Sequence, residues 1–99
     1  MKLIVGARAV ADIERIDAWW RANRPDAPDA FLHGLDAAKR TITDGPTVAP
    51  VYARAARGVV RRVLLSASGH HVYFRVEPDA VVRVVAVWGA RRGAGPRLR

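Results

Sequence analysis

The sequence predicts an α+β fold, β-α-α-β-β-β, in which a helical hairpin packs on a mainly antiparallel twisted sheet. Three observations predict it. Apolar residues recur at helical spacing through residue 43, at strand spacing from about residue 58, and the segments between carry turn residues. A chain of 99 residues, about half of them apolar, supports one compact domain over 1–99 with one modest core.

Leu3–Val5 is short and apolar enough for a first strand. After Gly6 the period changes: Val10, Ile13, Ile16 and Trp20 fall on one face at steps of three, three and four, which predicts a helix over 7–22. Trp20 continues the apolar stripe into the core, whereas Trp19 sits about 100° away and is expected to be partly exposed. Asn23-Arg24-Pro25 ends this helix. Asp26-Ala27-Pro28 is read as the start of a second, over 27–43, because Asp26 can cap free N–H groups and proline is tolerated in a first turn. Phe31, Leu35, Ala38 and Ile42 form its apolar stripe, His33 lies on its solvated side, and Asp44-Gly45-Pro46 stops it. So short a connection predicts an antiparallel hairpin of helices.

Residues 47–58 lack clean periodicity and are read as a loop or an irregular lead-in to the sheet. Val59–Leu65, His71–Val76 and Val81–Trp88 then have strand length and β-branched or aromatic composition, broken by Ser66-Ala67-Ser68-Gly69 and Glu77-Pro78-Asp79. Alternation in the second run sends Val72, Phe74 and Val76 toward the helices and His71, Tyr73 and Arg75 outward. The last run is apolar nearly throughout, as a central strand covered on both faces requires, and Arg83 shares the outer face. The expected core includes Ile13, Ile16, Trp20, Phe31, Leu35, Ile42, Phe74, Val84 and Ala86. Residues 93–99 hold too few apolar groups to fold alone and are expected to be mobile unless a partner orders them.

Seventeen Lys plus Arg oppose nine Asp plus Glu, a net charge of +8, and all the cations but Lys2 and Lys39 are arginine. An anionic partner is implied, and charge alone does not separate nucleic acid, an acidic protein segment and a membrane surface. Without cysteine, disulfides and thiolate zinc sites are excluded. Three histidines are too few and too poorly spaced for a metal site, so neither metal nor cofactor is expected. The apolar Met1–Val5 meets Arg8, Asp12 and Glu14 too soon for a signal-peptide core, and no run approaches membrane-spanning length; a soluble, cytoplasmic protein without a membrane partner is the expectation.

Four stretches carry a family resemblance: Ala9–Ile16 in the first helix, Pro46 after the second, Gly58–Arg62 followed by His71–Val76, and the ending Val85–Trp88 with Gly89-Ala90-Arg91-Arg92. Together they resemble the RelE/ParE superfamily of toxins from bacterial type II toxin–antitoxin systems, over almost the whole chain and in the right order. The resemblance implies a toxin whose free form arrests growth and which a cognate acidic antitoxin neutralises in a hetero-oligomer.

Two activities occur in that superfamily, ribosome-dependent mRNA cleavage by RelE-like members and inhibition of DNA gyrase by ParE-like members. Cleavage through a 2′-hydroxyl needs a proton acceptor, cations on the scissile phosphate and a donor for the leaving oxygen. RelE-like enzymes use lysines and arginines before and within the sheet and a tyrosine near the C-terminus. Here Arg54 and Arg57 precede the sheet without a lysine, no tyrosine follows Trp88, and arginine is a poor proton acceptor. A nuclease site would therefore fall to Tyr73, His71, Arg83 and Arg62, acting on mRNA at the ribosome.

The helical hairpin, the missing lysines and the Arg-Arg ending are more like ParE, with gyrase as target. On that reading Arg61, Arg62, Arg75, Arg83, Arg91, Arg92 and Trp19 contact the target or the antitoxin. The plainer reading gives these arginines to solubility or to ion pairs with Asp12, Glu14 or Glu77. A third, non-enzymatic reading is a nucleic-acid-binding module that places the same arginines on phosphates.

Overall fold

The computed structural model describes residues 1–90 and 95–98. Strand β1 (Lys2–Val5) leads into helix α1 (Ala7–Asn23), then α2 (Ala30–Asp44), and four strands follow: β2 (Val51–Ala55), β3 (Gly58–Leu65), β4 (His70–Glu77) and β5 (Val81–Gly89). They form one sheet in the order β1-β5-β4-β3-β2, parallel between β1 and β5 and antiparallel elsewhere. The fold is thus α+β, two helices on a five-stranded, mostly antiparallel sheet.

The stripes of the two helices close over one face of this sheet. Ile16, Trp20, Phe31, Leu35 and Ile42 pack with Leu65, Val72, Phe74, Val82, Val84 and Val87 in the main core. Ile13 borders that core half-buried. Gly6 permits the close approach of α1 to β5, because a Cβ there would stand 3.2 Å from the Val84 carbonyl oxygen. That same oxygen accepts the Gly6 N–H at 2.9 Å.

Residues 51–55, read from sequence as part of a loop or an irregular lead-in to the sheet, form edge strand β2. It pairs with β3 on one side only, and its register shifts between Val51 and Ala53, so no regular alternation marks it in the sequence. Helix α2 begins at Ala30 rather than near residue 27, with Asp29 and not Asp26 at its N-cap position. The indole N–H of Trp20 donates to the Ala27 carbonyl at 2.8 Å, which fixes the preceding turn outside the helix.

A β-bulge interrupts the pairing of β4 and β5: Tyr73 opposes Ala86 and Phe74 opposes Val84, leaving Val85 as the extra residue. Val85 and Ala86 consequently both turn away from the helices, and Val87 returns to the main core. Ala86 is buried as the sequence predicts, but in a second cluster, with Val60 and Tyr73. The expectation that Tyr73 and Arg75 face outward is corrected in one respect: they occupy the face away from the helices, yet both are buried. Tyr52, Trp88 and Leu98 pack on that second cluster and cover it. Val76, assigned to the helix side, is largely exposed near the end of β4. Residues 95–98 lie along the same face, where Pro96 is buried, its carbonyl accepts from the Tyr52 hydroxyl at 3.5 Å, and Gly95 packs against the Tyr52 phenol.

Candidate functional site

Strand register decides which cations meet. On the sheet face away from the helices, Arg62 stands opposite Tyr73, and Arg75 stands opposite Arg83. These pairs mark two separate basic regions.

The first region is a small pocket of about 110 Å³ lined by Arg62, His71, Tyr73 and Trp88. The Arg62 guanidinium lies 5.2 Å from the Tyr52 ring centroid, a cation–π distance. Tyr73 is held edge-on between Tyr52, at 4.7 Å, and His71, at 6.0 Å, and only 1% of it is exposed. Burial lowers the His71 pKa from its ordinary value, and the neighbouring Arg62 charge adds to the effect. Its Nδ1 is buried without a hydrogen-bond partner.

The second region is a cleft of about 520 Å³ framed by the start of α1, the β4–β5 ladder, the β2–β3 turn and the C-terminal segment. Arg75 and Arg83 form its floor. Glu77 bridges them, 2.9 Å from Arg83 Nε and 3.6 Å from Arg75 Nε. The hydrogen bond from Arg83, helped by both positive charges, holds the Glu77 carboxyl below its ordinary range despite an opposing desolvation. Arg57 projects from the two-residue β2–β3 turn, where Gly58 at φ 121° supplies the backbone conformation that closes the hairpin. Arg8, from the first turn of α1, donates to the Arg97 carbonyl at 2.6 Å and lies 5.9 Å from the Trp88 ring.

The nuclease candidates divide between these regions. Arg62, His71 and Tyr73 line one pocket together, whereas Arg83 lines the cleft with Arg75 and Glu77. Arg61 points the other way, donating to the Ala49 carbonyl at 2.7 Å and fixing the approach to β2. Trp19 is 52% exposed, on the face its phase predicts. Arg91 and Arg92 lie outside the described residues. Sequence reasoning did not assign Arg8, Arg57 and Arg97 to a site, because a helix start, a hairpin tip and a chain end share a cleft only after folding. Among the described residues no cluster of acidic residues, histidines and cysteines has a metal-binding arrangement. No helix there is long and apolar enough to cross a membrane.

The family model described as the ParE toxin of the type II toxin–antitoxin system parDE matches residues 3–93. The chain belongs to the ParE toxin family. Among solved structures it is similar to a chain from the chromosomal ParDE toxin–antitoxin system of P. aeruginosa, with a TM-score of 0.75 at 15% identity, over 92% of this chain and 97% of that one. At that identity the likeness concerns the fold, and it covers helices and sheet alike. No curated protein matches the sequence. Membership in the ParE family bears out the toxin reading made from the residues, including its leaning toward ParE over RelE.

Proposed function

We propose that this ParE-family chain arrests growth by binding DNA gyrase and blocking supercoiling, and that a cognate ParD-type antitoxin neutralises it. The observation that carries the target is the separation of the groups RNA cleavage would require. Tyr73 is 1% exposed, and Arg83 is engaged by Glu77 in a different cleft from His71. Cations suited to docking are abundant, while groups able to pass protons to a substrate are scarce. A groove between α1 and α2 supports the antitoxin reading: Val5, Val10, Ile13, Leu32 and Leu35 provide apolar walls, and Glu14, Asp36 and Lys39 are the charged residues beside them. The apolar face of an amphipathic segment fits such a groove.

Induction of this chain alone, followed by a supercoiling assay with purified gyrase and primer extension on translated mRNA, tests the target. Blocked supercoiling with intact mRNA is expected, weakened on removal of Arg91 and Arg92. Cuts at fixed codon positions would replace this reading with ribosome-dependent mRNA cleavage. The grouping of Arg62, His71 and Tyr73 around one pocket favours that second reading. Co-expression of the adjacent open reading frame should restore growth and co-purify with the chain, and failure of both would remove the antitoxin.

A further inference from the structure

The arginine cleft has a charge composition that ordinary surface solubility does not call for. Among the described residues five arginines, Arg8, Arg57, Arg75, Arg83 and Arg97, line it with one carboxylate, Glu77, and Asp12 stands 3.9 Å from Arg8 Nε. With both carboxylates counted, the described residues leave an excess of three positive charges around a volume of about 520 Å³. Arg75 is only 6% exposed, so its guanidinium has lost most of its water and is held under the cleft floor. The Glu77 carboxylate lies 3.6 Å from Arg75 Nε and 2.9 Å from Arg83 Nε.

The start of α1 adds to the same potential. Ala7 and Arg8 line the cleft, the N-cap Gly6 supplies no side-chain acceptor, and the first turn carries no acidic residue. The positive end of a 17-residue helix therefore faces the arginines with no carboxylate in its first turn.

We infer that this cleft is a binding site for a phosphate chain, two or more phosphoryl groups in a row. Guanidinium groups present forked donors that match phosphate oxygens. A linear triphosphate carries roughly three to four negative charges in a few ångströms, on the order of the excess lining the cleft. An acidic peptide would need about three carboxylates crowded into the same space, against their mutual repulsion. The volume lies within the range of small-ligand sites, about 300–1,000 Å³. Among the described residues no aromatic side chain lines the cleft, so recognition falls on the phosphates and not on a base.

Two sources share this chemistry, the polyphosphate of a free nucleotide and consecutive phosphates of a nucleic-acid backbone. Calorimetric titration of the purified full chain with inorganic tripolyphosphate tests the site directly, whatever the cellular target. Saturable one-to-one binding is expected, weakened about tenfold or more in the Arg57→Gln/Arg97→Gln double variant, where two charge-assisted contacts are lost. Both side chains are exposed, so the fold should survive, and circular dichroism checks that it does. An Arg24→Gln/Arg40→Gln double variant removes the same charge from exposed helix-side positions and should bind as the parent does.

Equal weakening in both double variants would reduce the effect to overall charge and overturn the site, as would the absence of saturable binding. Competition then separates the sources. Displacement by ATP as effective as by tripolyphosphate assigns a nucleotide, and displacement by a short oligodeoxynucleotide alone assigns a backbone. Displacement by oligoaspartate ahead of either would overturn the phosphate assignment.

Discussion

Asp12 Oδ2 accepts the backbone N–H of Val87 at 3.0 Å, tying the middle of α1 to the far half of β5. Pairing with β1 ends at Val84, so β5 runs on beyond its parallel neighbour and exposes a row of backbone groups to the helix. Asp12 is 5% exposed and also receives Arg15 at 3.2 Å. One carboxylate thus substitutes for a missing strand. Asp12→Ala should leave the Val87 N–H buried and unpaired, at a cost of about 1–3 kcal/mol. Asp12→Asn retains an acceptor and should cost less than Asp12→Ala, as should Arg15→Ala, which removes a half-exposed partner and leaves Arg8 3.9 Å from the carboxylate. Urea denaturation of the three variants checks the order.

The adjacent tryptophans should separate just as sharply. Trp20 is buried and donates to the Ala27 carbonyl, so Trp20→Phe loses a hydrogen bond that fixes the turn between the helices, worth about 0.5–1.5 kcal/mol, as well as ring volume. Trp19→Ala removes a half-exposed ring and should change stability by no more than about 0.5 kcal/mol while weakening a partner that docks there. Thermal melts beside antitoxin pull-down distinguish the two effects.

That contrast marks what the chain reveals before it folds. The phase of Ile13, Ile16 and Trp20 fixed one indole inside and the other outside, because helical period alone determines it. β2 escaped notice because an edge strand with a register shift needs no alternation. The Val85 bulge was equally silent, since an apolar run reads the same whichever face each residue takes. Half of the basic pattern, Arg62 with Tyr73 and Arg75 with Arg83, follows from strand spacing. The rest of the cleft depends on Arg8, Arg57 and Arg97 arriving from distant segments, which no local pattern encodes.

Acid should weaken the fold in two stages. Burial depresses the pKa of His70, against a backbone hydrogen bond at Ser68, and depresses His71 as well. As pH falls through the ordinary value of 6.5, the unfolded chain therefore takes up protons before the folded one, so stability present above that value is progressively lost below it. Glu77, whose pKa is lowered chiefly by its hydrogen bond from Arg83, adds a second loss below its ordinary 4.5. Urea midpoints should decline between about pH 7 and pH 5, and decline less in His70→Asn/His71→Gln. Glu77→Gln should flatten only the more acid stage, and an unchanged slope in both variants would contradict the assignment.

Tyr73 offers the sharpest separation of binding from cleavage. Its ring fills the second cluster between Tyr52 and His71, with 1% of its surface exposed. Tyr73→Phe keeps that ring and its packing, so stability should change by less than about 1.5 kcal/mol. If the ring serves only to pack, growth arrest and supercoiling inhibition should match the parent. A folded Tyr73→Phe protein that no longer arrests growth would mean that the hydroxyl takes part in chemistry. Arg62→Ala resolves what such a loss means, because a nuclease would then lose both residues' contribution to mRNA cuts. An inhibitor that merely docks through Arg62 would lose affinity for gyrase in that variant alone.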